Sequence, residues 1–133
     1  MSFLYNEELG RLILRLTVGG LMLFHGVAKI LHTGTIDFIS GRLVETGLPG
    51  MIAYGVYAGE VLAPVMLILG IYCRAGAALI VVNMLFAIGL SHMADITALT
   101  DHGGWRLELQ GFYLFGALAV MFLGSGRIAA RPD

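Results

Sequence analysis

Residues 75–90 read AGAALIVVNMLFAIGL, a run without a charge and with Asn83 as its one strongly polar side chain. A helix needs about 20 mostly apolar residues to cross a bilayer. With its flanks this run supplies a span over residues 74–93. Three further runs of the same kind lie around it. One precedes it at residues 51–72, one follows at 105–124, and one opens the chain at 9–31, interrupted by Arg15 and Lys29. The expected fold is therefore all-α, a four-helix transmembrane bundle making up a single domain over residues 1–133.

Composition agrees. The chain is 58% hydrophobic and 13% charged, against about 45–50% and about 25% in soluble domains. A soluble chain of 133 residues with that balance would expose very large apolar patches, whereas lipid removes the penalty. A net charge of −1 gives nucleic acid nothing to bind. The single cysteine, Cys73, excludes an internal disulfide framework and reads as a small apolar filler beside Arg74. The first span is expected to be retained. It has an acidic start at Glu7 and Glu8, a core split by Arg15, and no cleavage site after Leu31, unlike a signal peptide.

Turn signals set the boundaries. Gly34 follows the first span, Leu48-Pro49-Gly50 precedes the second, and His102-Gly103-Gly104 leads to Trp105, placed where indoles favour the membrane interface. Residues 36–46 are predicted to form a short surface helix with Phe38, Ile39 and Leu43 on its apolar side. Arg11, Arg74, Arg127 and Arg131 gather on one side of the membrane. Arg42 and Arg106 fall on the other, with Lys29 near that boundary. The arginine excess puts both termini in the cytoplasm, which makes the chain a multi-pass protein of the bacterial inner membrane. Gly55-Val56-Tyr57-Ala58-Gly59 is a GxxxG pattern, which allows close helix contact within the chain or between copies.

Ionisable groups inside a membrane cost about 2.5–3.5 kcal/mol on insertion scales and face the interior of the bundle. Arg15 and Glu60 are expected at depths ~7 Å apart, which predicts a buried ion pair between them. Pro64 lies four residues after Glu60. It clashes with the Glu60 carbonyl and removes a helix hydrogen bond, so the second helix should kink there. His25 and Lys29 stack on one face of the first helix. His92 closes the third helix and Glu108 opens the fourth. Together His25, Lys29, Glu60, His92 and Glu108 form the predicted polar pocket.

These groups suit a quinone, whose head group needs hydrogen-bond donors and a proton partner beside an apolar slot. A proton-coupled small-molecule path fits the same residues. Haem or a metal is less favoured, because no HxxH, ExxH or CxxC spacing is present. The sequence also lacks a Ser-His-Asp order, a phosphate loop and a nucleotide motif.

Leu14-Arg15-Leu16 and Leu21-Met22-Leu23-Phe24-His25-Gly26-Val27-Ala28-Lys29 form the first part of a longer ordered set. It continues with Gly47-Leu48-Pro49, Glu60 with Leu62 and Pro64, Leu69-Gly70 and Arg74-Ala75-Gly76, and ends with Glu108 and Leu123-Gly124-Ser125-Gly126-Arg127. The set resembles the DoxX family of small bacterial four-helix membrane proteins over nearly the whole chain. Ser125 stands where family members usually carry proline, and the usual Ser-hydrophobic-Asp ending does not follow in Ile128-Ala129-Ala130. The resemblance implies a redox setting, since the family takes its name from a subunit associated with an archaeal thiosulfate:quinone oxidoreductase and has relatives linked to oxidative-stress complexes. It also implies a membrane subunit or anchor whose partners are the lipid bilayer and an oxidoreductase subunit or further copies of itself. The alternatives are a non-enzymatic transporter and a structural stress-response protein.

Overall fold

The computed structural model describes residues 4–133. They form α1 (Glu7–Leu31), α2 (Gly34–Glu45), α3 (Gly50–Leu69), α4 (Cys73–Ser91) and α5 (Glu108–Leu123). The start of α1 follows from its sequence. The Asn6 side chain accepts from the Leu9 amide at 3.0 Å, and Glu7 and Glu8 occupy the positive end of the helix dipole. Helix α3 is composite. A 3-10 turn over Gly50–Tyr54 follows Pro49, a short α segment leads to a π turn over Ala58–Leu62, and regular helix resumes at Ala63–Leu69. Gly70, at φ +77°, ends it in the left-handed conformation that glycine adopts without cost.

Among the described residues three helices, α1, α3 and α4, are long and apolar enough to cross a membrane. Their most apolar stretches are only 28%, 33% and 33% buried inside the chain, so most of their apolar surface needs lipid. Helix α5 is apolar but has 16 residues, or ~24 Å, short of a hydrocarbon core of about 30 Å. The expected span at 105–124 is corrected to that extent. Trp105–Leu107 belongs instead to a folded loop. The Trp105 indole donates to the Ile96 carbonyl at 2.6 Å, and Leu99 bridges to Trp105.

In the bundle α1 packs on α3 and α5, and α4 packs on α3 and α5. Met22, Leu67, Ala77, Ile80, Ala117 and Val120 fill the centre. Small residues set the spacing, as they do where lipid leaves helices no hydrophobic reason to associate. A Cβ on Gly19 would stand 2.9 Å from the Pro64 carbonyl oxygen. Helix α2 caps one end of the bundle. Its inward residues are Ile36, Ile39 and Leu43, while Phe38 is turned out and 60% exposed, contrary to its expected place on the apolar side. The spacing explains this, because 36, 39 and 43 share a helical stripe that 38 leaves. Arg42 holds α2 in place by donating to the Leu90 carbonyl at 3.1 and 2.6 Å, at the negative end of α4.

The opposite end gathers both chain termini. The Arg127 amide donates to the Glu8 carboxylate. Residues 125–133 run back across the α3–α4 turn as a strap, with Ala130 and Arg131 amides donating to the Leu69 and Gly70 carbonyls at 3.1 and 2.9 Å. Asp133 accepts from the Arg74 amide in the first turn of α4 at 3.1 Å and from the Ser125 amide at 3.2 Å.

Candidate functional site

The break in α3 organises the interior. Pro64 has no amide hydrogen to return to Glu60, and the chain answers with a π turn over Ala58–Leu62 in place of a simple kink. Such π turns often mark functional positions. The exposed Glu60 carbonyl is met by Gly26 of α1, where a Cβ would overlap the oxygen and its carbon. On the other flank Gly59 lies flat against the Asn83 side chain of α4. Two glycines thus allow α1 and α4 to close on either side of Glu60. The GxxxG pair divides accordingly. Gly59 is used within the chain, and Gly55 faces open space.

That closeness determines the partners of the carboxylate. Lys29 stands three residues after Gly26, and its ammonium pairs with Glu60 Oε1. Asn83 Nδ2 donates to Glu60 Oε2 at 2.9 Å. The Glu60 side chain is 4% exposed and that of Lys29 23%, so the pair is buried at the carboxylate and opens towards the α2 end at the ammonium.

The expected Arg15–Glu60 pair does not form. Gly26 is level with Glu60, and Arg15 lies eleven residues further down α1, ~16 Å away along the axis. The first turns of α3 explain the discrepancy. They pack against α2 in the end layer, which brings Glu60 nearer to that end than counting residues suggests. Arg15 is itself buried. Its Nη1 donates to the Ser125 carbonyl at 2.7 Å, and its Nε has no partner among the described residues.

The predicted five-residue pocket divides in the structure. Lys29 and Glu60 come together. His25 is half-buried and sets its ring edge-on to Tyr113 of α5, with centroids 5.5 Å apart. Tyr113 is buried. His92 falls just past the end of α4, where its Nδ1 pairs with Asp95 at 3.3 Å in a surface cleft shared with His102 and Arg106. Glu108 is exposed in the first turn of α5. The candidate site therefore has two parts, the bonded cluster of Lys29, Glu60 and Asn83, and the His25–Tyr113 contact. Asn83 and Tyr113 are polar groups in apolar spans, and that signal marks both in the sequence. No three His, Cys, Asp or Glu side chains among the described residues stand in a metal-holding arrangement.

Beside the site a groove of about 540 Å³ runs between α1 and α5. Its walls are aliphatic and aromatic, with Leu14, Leu21, Phe112 and Phe115 along its length. Glu108 and Trp105 stand at one end, and Tyr113 belongs both to the groove and to the contact with His25. Leu21, Phe112 and Phe115 are 52%, 79% and 62% exposed, so the groove opens sideways, where lipid would lie.

A bundle of lipid-facing helices closed around the Lys29–Glu60–Asn83 cluster defines a small polytopic membrane protein with a polar interior. A model of the DoxX family matches residues 10–93, and the chain belongs to that family. Over 126 residues it is 32% identical to a Bacillus subtilis (strain 168) protein named "Putative oxidoreductase CatD", a match covering 94% of this chain and 87% of the relative. No solved structure matches.

Proposed function

We propose that this DoxX-family protein works in a redox setting of the bacterial inner membrane, with both ends in the cytoplasm. In this reading it is the membrane subunit or anchor of an oxidoreductase and handles a quinone or a similar small apolar electron carrier. The observation that carries the reading is Tyr113, which lines a groove open to lipid and lies edge-on to His25, one helical turn before Lys29 of the buried ion pair. A carrier that takes up protons with electrons needs titratable groups at the edge of an apolar slot; Tyr113 and Glu108 line the groove, and His25 lies behind Tyr113. The name of the Bacillus subtilis relative supports the redox setting. The test is extraction of purified protein with organic solvent and assay of the extract for quinones. A quinone retained in near-stoichiometric amount by the wild type and lost from Glu60→Gln supports the reading, and an extract holding only phospholipid refutes it.

The graded exposure of the pair, 23% at Lys29 and 4% at Glu60, favours a second reading in which the same groups pass protons for a transported solute. Uptake into liposomes driven by an imposed pH gradient would select it.

A further inference from the structure

A second cleft, of about 570 Å³, lies at the end of the bundle that holds both chain termini. Its walls are charged, with Glu7, Glu8, Arg11, Arg74, Arg127 and Asp133 around it. It sits beside the first turns of α1 and α4 and the last residue of α5, the level at which lipid head groups lie. Its floor is fixed from inside. Buried Arg15 holds the Ser125 carbonyl, and the Ser125 and Asp133 amides each donate to the other's side chain.

Most of these groups are already spent. The Asp133 carboxylate takes the Arg74 and Ser125 amides, and Glu8 takes the Arg127 amide. The Arg74 guanidinium donates to the Met121 and Phe122 carbonyls at 2.7 and 3.4 Å. Two guanidinium groups are not spent. Arg11 stands 3.5 and 3.9 Å from Glu7 and Glu8 without a hydrogen bond to either, and the Arg127 side chain has no partner among the described residues. The two are neighbours, because a Cβ on Gly126 would stand 3.3 Å from the Arg11 side chain. Adjacent guanidinium forks with free donors suit a phosphate. A simple anion would meet Glu7, whose side chain is 56% exposed at the same rim. A head group carrying an ammonium a short link from its phosphate satisfies both signs at once. Leu123, 43% exposed, gives the cleft an apolar edge along which acyl chains can leave.

We propose that this cleft binds the head group of phosphatidylethanolamine, with the phosphate between Arg11 and Arg127 and the ammonium on Glu7. Arg11 and Lys29 are eighteen residues apart on α1, ~27 Å along the axis. The site is therefore separate from the Lys29–Glu60 pair and independent of the redox reading.

The test is native mass spectrometry of the full chain released from nanodiscs that hold equal amounts of phosphatidylethanolamine, phosphatidylcholine and phosphatidylglycerol with identical acyl chains. The expected result is one phosphatidylethanolamine per chain, preferred roughly tenfold over each of the others. The methylated ammonium of phosphatidylcholine cannot donate to Glu7, and phosphatidylglycerol has no ammonium. Arg127→Gln, at an exposed position, should abolish retention at an unchanged unfolding temperature. Glu7→Gln, also exposed, should shift the preference to phosphatidylglycerol, which the carboxylate no longer repels. A wild type that retains the three lipids equally, or prefers phosphatidylglycerol, would overturn the proposal. A phosphatidylethanolamine preference that neither variant alters would overturn it too, because the lipid would then sit elsewhere. Displacement of the bound lipid by an equal concentration of glycerophosphoethanolamine would overturn the lipid as occupant and make the cleft a site for the soluble head group.

Discussion

Lys29 and Glu60 form an ion pair across the α1–α3 interface, and the glycine three residues before Lys29 is what lets the two helices approach closely enough. The pair is not a surface salt bridge. Its carboxylate accepts from Asn83 as well, so both oxygens are satisfied where water does not reach. A buried ion pair contributes little net stability compared with an apolar substitute, but losing one partner strands the other.

Glu60→Ala and Lys29→Ala should therefore each destabilise the bundle by about 3 kcal/mol, the lower end of the range for broken buried pairs, because Lys29 keeps some access to its surroundings. The double variant should lose less than the sum of the two. Combining Arg15→Ala with Glu60→Ala should instead be additive, since Arg15 bonds to the Ser125 carbonyl and is far from Glu60. Detergent unfolding of the three single and two double variants measures both couplings, and additivity between Lys29 and Glu60 would contradict the pairing.

Gly26→Ala and Gly55→Ala separate the packed glycine from the open one. A Cβ on residue 26 overlaps the Glu60 carbonyl, a backbone group that cannot turn aside, whereas one on residue 55 meets nothing within 4 Å. The first change should cost about 1–3 kcal/mol as overpacking and weaken the Lys29–Glu60 contact. The second should be neutral or stabilising by up to about 1 kcal/mol, the helical preference for alanine over glycine. Folded yield and unfolding midpoint report both. Strong destabilisation by Gly55→Ala would show that this face meets a second copy of the chain.

The helices themselves were legible because apolar length is a one-dimensional signal. Residues 74–93 and 9–31 were expected close to where α4 and α1 lie. The pairing of Glu60 was not legible, because it depends on how far α3 is raised relative to α1. That offset arises from the packing of Gly50–Tyr54 against α2, a contact that no count of residues contains. His92 failed for a different reason. At the last position of a helix, one more residue of fraying turns a side chain from the interior to the loop, as its pairing with Asp95 shows. The partners of Arg15 and Glu60 came from opposite ends of the chain, Ser125 and Lys29, although the cost of burial alone had marked both residues as internal.

Residues 125–133 depart from the usual family ending, yet the strap they form is held by named bonds. Asp133 occupies the first turn of α4 and also fixes Ser125, whose carbonyl receives Arg15. Asp133→Ala should cost about 1–2 kcal/mol, typical of lost hydrogen bonds to a charged acceptor. It should also increase tryptic cleavage after Arg127. Unchanged stability and unchanged cleavage would show that the strap does not hold the bundle end.

Both chain ends meet through Glu8 and Arg127, and the α1–α2 connection lies at the opposite end of the bundle. Reporters fused at Gly34 and after Asp133 should therefore fall on opposite sides of the membrane, the second in the cytoplasm. Matching locations would mean that α5, at 16 residues, does not cross.

His25 gives the sharpest division between a working site and a scaffold. It makes no ion pair and no hydrogen bond among the described residues, and its specific contact is the edge-on approach to Tyr113. Leucine at this position would keep the bulk and the helical preference while removing the polar ring. A scaffold that needed only packing would lose little, within about 1 kcal/mol. A site that passes protons to a carrier beside Tyr113 would lose its function while the fold stood. His25→Leu should thus unfold within a few degrees of the wild type and fail to retain quinone, while His25→Gln, which restores a donor and an acceptor without the titration, should retain quinone but not turn it over in the reconstituted complex. Thermal unfolding, solvent extraction and turnover of the three proteins decide the matter. If His25→Leu keeps both its bound quinone and its turnover, the buried pair serves to fix helix register, and the imidazole is only a packing group against Tyr113.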